Sequence, residues 1–199
     1  SALMKIDKNT KEIIWIFGEP SGWSEKNKDK LISMTNTSEW FWHQHSPEYT
    51  PDGTLLLFNN NNYQTRPFQE AIPLSEASSN ILEFKINEKG KTAQEVWSSE
   101  NEKHDRVLSI AMGDVDYLSN GNILGAYGAL LSLDYEDEMT WWNRRDFPQW
   151  TMVREYTHTD PPELVLEIRL VNNDKEAKVG WTIFGAERFF GEEEGEVTS

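Results

Sequence analysis

The stretch "ILEFKINEKGKTAQEVW", at residues 81–97, decides the fold. Apolar and polar residues alternate on both sides of a polar segment rich in Asn, Lys and Gly, and the second half ends on a tryptophan. Alternation with a period of two around a tight polar turn predicts an antiparallel β-hairpin. The same pattern occurs at residues 3–18, with Trp15, and at residues 164–185, with Trp181. The chain is therefore predicted to consist of repeated hairpins.

A second type of hairpin lies between these repeats, at residues 49–60 and 117–128. The dipeptides Asp-Gly at 52–53 and Asn-Gly at 120–121 are strong turn signals, because glycine adopts positive φ at little cost. Two hairpin types in alternation make units of four strands, which is typical of a β-propeller blade. We predict an all-β fold made of propeller blades, each a four-stranded antiparallel sheet.

The 199 residues supply two to three such blades, whereas propellers close with about four to eight. We expect an incomplete ring, completed by additional blades from a longer chain or another subunit, or an open sandwich. Residues 1–190 are predicted to form the propeller portion. Residues 191–199 are acidic and are predicted to be a disordered tail. Two insertions, at residues 61–79 and 133–150, are candidates for function or for a partner surface.

The composition excludes several classes of function. A formal net charge of −15 argues against nucleic acid and against anionic membranes as partners, because both need clustered Lys and Arg. The absence of cysteine excludes disulfides, thiol catalysis and thiolate metal sites. No stretch approaches the roughly 20 apolar residues of a membrane-spanning helix.

Two histidines in the stretch "FWHQH" are the first candidate site. If this segment enters a strand, alternation places His43 and His45 on the same face. Two imidazoles on one face could act as base and acid or bind a metal, and a metal-dependent hydrolase is one hypothesis. A metal site would need a third ligand, and the sequence points to none. Partly buried histidines bonded to backbone are the alternative.

Polar residues after the next apolar strand are the second candidate site. Asn59–Asn62 offer amide donors and Arg66 offers a guanidinium, a combination that suits a sulfate, carboxylate or phosphate. The alternative for the asparagines is a turn, where Asn tolerates left-handed geometry. Asp114 and Asp116 share a predicted strand face and could bind a cation or accept hydrogen bonds at a strand end.

The order of these motifs resembles the bacterial arylsulfotransferase family. The resemblance rests on "WFWHQHSPEYTPDGTLLLFNNNNYQTRPF", on the opening stretch, on "GDVDYLSNGNILGAYG" and on the closing "WTIFGAERFF". It implies a β-propeller, usually six-bladed, in a periplasmic or extracellular protein. It also implies transfer of a sulfuryl group from a phenolic sulfate ester to a phenol through a sulfated histidine. Neither a nucleotide sulfate donor nor another cofactor or metal is implied.

The resemblance also implies roles for individual residues. His45 matches the histidine of the family's Gln-His pair, and we expect it to face the sulfuryl group or the phenolate as an acid or base. Asn60 and Arg66 match residues that would hold sulfuryl oxygens, and His43 and Tyr127 complete the expected substrate-binding set. The sequence departs from the family pattern at Asn59, usually aspartate, and at Gln64, which stands at the first arginine of an Arg-x-Arg-Pro run.

The position of the nucleophilic histidine is the larger departure from the family pattern. In the family pattern the nucleophilic histidine is expected beyond the glycine-rich strand end near residue 128, yet no histidine lies between His104 and His158. His104 or His43 could substitute, or the nucleophile could lie in another part of the protein. The alternative is a non-catalytic binding propeller that uses the insertions as its surface, with tryptophan anchors. Those anchors would be Trp141, Trp142 and Trp150.

Overall fold

A computed structural model describes residues 1–65, 69–132, 138–140, 143, 146–174 and 180–189. It has eleven strands within these ranges, with one short α-helix and one turn of 3₁₀ helix. The strands are β1 Ala2–Ile6, β2 Ile13–Gly18, β3 Ser33–Met34, β4 His45–Tyr49, β5 Leu55–Asn59, β6 Asn80–Asn87, β7 Thr92–Ser98, β8 Asp114–Tyr117, β9 Ile123–Leu131, β10 Gln149–Tyr156 and β11 Leu164–Leu170; α1 is Glu25–Lys28 and the 3₁₀ turn is Leu74–Glu76.

These strands form three sheets, and the all-β prediction is confirmed. One sheet has the order β3-β7-β6-β5-β4, in which β4 to β7 form an antiparallel meander and β3 adds parallel to β7. A second sheet is the meander β11-β10-β9-β8, and β1 and β2 form a separate hairpin. Each meander has the four-stranded antiparallel order of a propeller blade. Closure into a ring stays a prediction.

Glycine turns set the register of both meanders. Gly53 has φ 78° in the β4–β5 turn, and Gly121 has φ 84° in the β8–β9 turn. Backbone hydrogen bonds close both turns, from Thr50 N to the Thr54 carbonyl and from Leu118 N to the Asn122 carbonyl. Both Gly-containing hairpins lie where the sequence predicted them, as do the β1–β2 and β6–β7 hairpins.

The prediction of a third hairpin, at residues 164–185, is wrong for its second strand. Its first strand is β11, but residues 180–185 are not a strand, and Trp181 is 60% exposed. This segment instead packs against β9, where Thr182 Oγ1 accepts a hydrogen bond from Ala129 N. The Ile183 carbonyl lies so close to Gly128 that a Cβ there would collide with it. A side-chain hydrogen bond and a close approach at glycine thus replace the expected backbone ladder.

The main core lies between the two meanders. Phe58 packs edge-on against Tyr127, with 4.9 Å between ring centroids. Ser46 Oγ on β4 donates to the Gly113 carbonyl, and Tyr117 N on β8 donates to the Glu48 carboxylate. The two sheets are therefore joined along β4 and β8. The buried residues of this core are Leu56, Phe58, Ile81, Trp97, Val107, Val115, Ile123, Tyr127, Leu130, Met152 and Tyr156.

The outermost strands leave apolar side chains in solvent. Along β11 and just beyond it, six aliphatic residues are each between 37% and 54% exposed, and three residues of the β1–β2 hairpin are similarly open. None of the helices in the described ranges is both long and apolar enough to cross a membrane. The exposed residues are Leu164, Val165, Leu166, Ile168, Leu170 and Val171 at one end, and Met4, Ile6 and Ile14 at the other.

Two glycine substitutions test this packing. Gly113 has φ 141°, and an added Cβ would collide with the Phe58 ring, whereas Gly53 has open space around it. We expect Gly113→Ala to lower the free energy of unfolding by about 3 kcal/mol, from backbone strain plus overpacking. Gly53→Ala, the matched control, should cost only about 1 kcal/mol from backbone strain. Equal losses in urea titrations would contradict the proposed packing of Phe58 against Gly113.

Candidate active site

The β4–β5 hairpin brings His45 beside the end of β5. His45 is the first residue of β4 and pairs with Phe58 of β5. The chain continues beyond Phe58 to Asn60, which therefore lies close to His45. His45 Nδ1 lies 2.6 Å from Asn60 Oδ1, although fifteen residues separate them. His45 is exposed, whereas Asn60 is 0% exposed. The predicted meeting of these two residues therefore places a buried amide behind an accessible imidazole.

The orientation of the Asn60 amide is fixed by its surroundings. Asn60 Nδ2 lies 2.7 Å from the Met112 carbonyl and 3.0 Å from the Ser109 carbonyl. Carbonyl oxygens only accept hydrogen bonds, so the amide nitrogen must face them and the amide oxygen must face His45. The flipped orientation would set oxygen against two carbonyls and leave buried groups unsatisfied.

This orientation fixes the protonation of His45. Its Nδ1 faces two acceptors, Asn60 Oδ1 and, at 3.0 Å, the His43 carbonyl. A nitrogen between two acceptors must carry the proton, so the neutral imidazole has its lone pair on Nε2. Nε2 makes no hydrogen bond to any residue that the structure describes. In its neutral form His45 thus presents a lone pair on Nε2 that can act as a nucleophile or a base.

Two serines that the sequence did not reveal support Asn60. Ser79 Oγ donates to the Asn60 backbone carbonyl at 2.7 Å and accepts from Ser109 N at 2.8 Å. Ser109, which is 0% exposed, donates from Oγ to the Gly128 carbonyl at 2.5 Å. The network joins the first sheet to β9. Neither serine belongs to a motif, so only the tertiary contacts identify them.

His43 differs from the expectation that it shares a strand face with His45. It lies before β4 begins and has φ 55°, so alternation along a strand does not apply to it. Partial burial, the amino terminus and His45 together lower the pKa of His43, which favours its neutral form. Within the described ranges, no group of three or more His, Asp or Glu is arranged to hold a metal ion.

The neighbouring asparagines are structural. Asn59 accepts from Trp42 N through Oδ1 and donates to Asn80 Oδ1, both at 2.8 Å. Asn62 donates to the Ile110 carbonyl at 2.7 Å. The left-handed geometry expected of a turn occurs at Asn61, which has φ 56°, whereas Asn59 and Asn62 make long-range contacts. These contacts also place Asn60 behind His45 rather than in direct reach of a ligand. Arg66 lies outside the described residues.

The other two predicted site residues lie elsewhere. His104 and Tyr127 line a cavity of about 420 Å³ between the two meanders, whose lining does not include His45. The hydroxyl groups of Tyr127 and Tyr156 are hydrogen-bonded at 2.9 Å. Burial, with a further contribution from Tyr156, raises the pKa of Tyr127, so its phenol stays protonated. The predicted residues therefore fall into two places, connected through Asn60 and Ser79.

Several acidic side chains lie on β4 and β8, the strands along which the two sheets are joined. Burial, together with the charges of Asp114, Glu48 and Glu187, raises the pKa of Asp116 to about 6. Burial also raises the pKa of Glu48 on β4. Glu48 accepts a hydrogen bond from Tyr117 N. The two interpretations of Asp114 and Asp116, a cation site or hydrogen bonding at a strand end, stay predictions. The charged forms of these carboxylates repel one another in the folded protein.

The raised pKa makes a prediction about stability. An acid whose pKa is higher in the folded state binds more protons there, so stability falls as pH rises from about 4 to about 6. We expect Asp116→Asn to raise the free energy of unfolding at pH 8 by about 1 kcal/mol, after allowance for solvent screening, with little change at pH 4. Urea titrations at both pH values measure this. Asp52→Asn, in an exposed turn, is the control, and equal gains at both pH values would contradict the argument.

Comparison with known proteins bears on this site. The family described as "Arylsulfotransferase (ASST)" matches residues 1–181. Arylsulfate sulfotransferase AssT from Escherichia coli O6:H1 is 24% identical over 148 residues, covering 66% of this chain and 24% of the relative. The protein of that name from Lelliottia amnigena is 23% identical over 140 residues, covering 62% and 23%. The chain thus spans about a quarter of the length of these curated relatives. Because the match extends over most of its length, the chain belongs to the arylsulfotransferase family.

Proposed function

We propose that His45 is the nucleophile of an arylsulfotransferase reaction. The lone pair of Nε2 forms a bond to the sulfur of a phenolic sulfate ester as the bond from sulfur to the phenolic oxygen breaks. The phenolate leaves with the electron pair of that bond and takes a proton from solvent. A second phenol then attacks the sulfur, loses its proton to solvent and releases Nε2. No nucleotide donor takes part.

The two acceptor oxygens that face His45 Nδ1 are the observation that carries this proposal. Sulfation at Nε2 leaves the proton on Nδ1 and makes the ring positively charged. The Asn60 and His43 oxygens already face that N–H, at 2.6 and 3.0 Å. Hydrogen bonds to a charged group are stronger than neutral ones, so both contacts strengthen as the charge develops. Because Asn60 is held by buried partners, the site needs little rearrangement during the reaction.

This proposal moves the nucleophile from His104 or His43 to His45. His104 lines a cavity that does not include His45, and His43 contributes its backbone carbonyl to the His45 contact. The non-catalytic alternative rested partly on Trp141 and Trp142, which lie outside the described residues. Trp150 is half-buried and lies 5.5 Å from the Arg169 guanidinium, so its ring already has an intramolecular contact.

We further propose that additional blades, from a longer chain or another subunit, cover the outer sheets. The support is the apolar surface along β11 and on the β1–β2 hairpin. Light scattering on the purified chain measures this, with an oligomer or aggregate expected. A stable monomer whose solubility is unaffected by Val165→Lys and Ile168→Lys would contradict the proposal.

Replacement of His45 tests the proposed nucleophile directly. The chain is incubated with p-nitrophenyl sulfate and digested, and mass spectrometry locates any added sulfuryl group. We expect the label on the peptide that contains His45, and its complete loss in His45→Asn. His104→Asn should retain the label, because His104 lines the separate cavity. Labelling that survives in His45→Asn would overturn the assignment, and absence of label from the unaltered protein would favour the non-catalytic alternative.

Replacement of Asn60 tests the positioning of His45. In Asn60→Ala the imidazole loses one of its two acceptors, so we expect a mixture of Nδ1–H and Nε2–H tautomers and a labelling rate roughly 10-fold to 100-fold lower. ¹⁵N chemical shifts of the ring measure the tautomers. Ser79→Ala is the matched control for stability, because it loses the bonds to the Asn60 carbonyl and from Ser109 N but leaves the Asn60 amide in place. An unchanged tautomer in Asn60→Ala would contradict the positioning role.

A further inference from the structure

The cavity that contains His104 and Tyr127 has the character of a preformed ligand site. Its volume of about 420 Å³ lies in the range of roughly 300–1,000 Å³ that small-molecule sites occupy. Cross-sheet hydrogen bonds hold its walls. Asn101 Nδ2 donates to the Pro162 carbonyl at 2.8 Å, and Trp97 Nε1 donates to the Thr159 carbonyl at 2.9 Å. The loop after β7 is thus tied to the turn that joins β10 to β11.

A buried guanidinium forms part of the cavity wall. The Arg154 side chain is 4% exposed, and its Nε donates to Glu167 at 2.8 Å. Nη1 lies 3.5 Å from the Tyr156 hydroxyl, a long contact. Nη2 makes no hydrogen bond to any residue in the described ranges. Arginine keeps its charge at all relevant pH values, so these unused N–H groups favour an acceptor oxygen.

Further groups around the cavity are also donors. Burial raises the pKa of Tyr127 and of Tyr156, so both phenols remain protonated. His104 packs on Tyr156, with 5.6 Å between ring centroids, and its Nδ1 is buried without a hydrogen-bond partner among the described residues. A buried polar nitrogen without a partner costs free energy that a ligand would recover. The lining therefore combines an excess of donors with aromatic surfaces.

Acidic residues at the rim do not cancel this character. Glu100, Glu102 and Asp105 also line the cavity, but they are exposed to solvent. Water and salt screen exposed charges strongly, whereas Arg154 acts from a buried position where its field is screened far less. Arg154 is paired with Glu167 through Nε, so what the cavity wall offers is the remaining N–H groups of a buried guanidinium, while solvent screens the carboxylates at the mouth.

We propose that this cavity binds a small aromatic carboxylate, with the carboxylate oxygens accepting hydrogen bonds from Arg154 Nη2 and His104 Nδ1. The planar guanidinium matches the geometry of a carboxylate, and the rings of Tyr127 and Tyr156 contact the aromatic ring of the ligand. His45 does not line the cavity, so this site is distinct from the proposed sulfuryl site and does not depend on it.

Calorimetric titration of the whole chain with benzoate tests the proposal. We expect saturable binding with one site per chain. His104→Ala should weaken binding about 5-fold to 10-fold, because one hydrogen bond is lost. The paired variant Arg154→Leu with Glu167→Leu should weaken it by about 100-fold or more, because it removes the buried cation together with its partner. Replacing both members of the pair leaves the net charge of the chain unchanged, and the melting temperature of each variant shows whether it is folded.

Controls separate this site from the proposed sulfuryl site. His45→Asn should bind benzoate as the unaltered protein does, so loss of benzoate binding in that variant would overturn the assignment. Phenol, which carries no charge, should bind at least 10-fold more weakly than benzoate. Equal affinities for phenol and benzoate, or the absence of saturable binding at about 10 mM benzoate, would also overturn it. Sulfuryl labelling of His45 can succeed or fail independently of each of these results.

Discussion

The amide of Asn60 is the interaction on which the arrangement of both sheets and of the site depends. Its nitrogen donates to the carbonyls of Ser109 and Met112, which come from the segment leading into the second sheet. Its oxygen accepts from His45 on the first sheet. Asn60 is 0% exposed, so each lost bond would leave a buried polar group unpaired, at a cost of about 1–3 kcal/mol. One side chain therefore couples docking of the sheets to the tautomer of His45.

Other buried polar contacts reinforce this docking. Glu83 of β6, which is 2% exposed, is hydrogen-bonded to His158 in the segment after β10. His158 in turn packs edge-on against Trp97 and Tyr117, one from each sheet. Directional hydrogen bonds in an otherwise apolar interface restrict the sheets to one relative position, whereas apolar contacts alone tolerate sliding. A fixed relative position is what keeps the Met112 and Ser109 carbonyls in reach of Asn60.

The sequence predicted the features that depend on residues close together in the chain. Alternation and the turn glycines at 53 and 121 predicted four hairpins, because turn geometry alone fixes the register of each. The same logic brought His45 next to Asn60. It could not predict that Asn60 would face inward, since that depends on carbonyls about 50 residues away. It failed at residues 180–185, where contact with Gly128 overrides a strand-like pattern. The burial of Arg154 could not be predicted from the sequence, because a charged residue in a strand usually faces solvent.

The carboxylates on β4 and β8 predict how the proposed reaction depends on pH. The chain carries a net charge of −15, and an aryl sulfate is itself an anion. Glu48 lies on the same strand, β4, as His45. The pKa of Glu48 is raised, and that of Asp116 is raised to about 6. As pH falls toward 6, Asp116 takes up a proton and repulsion of an anionic donor weakens.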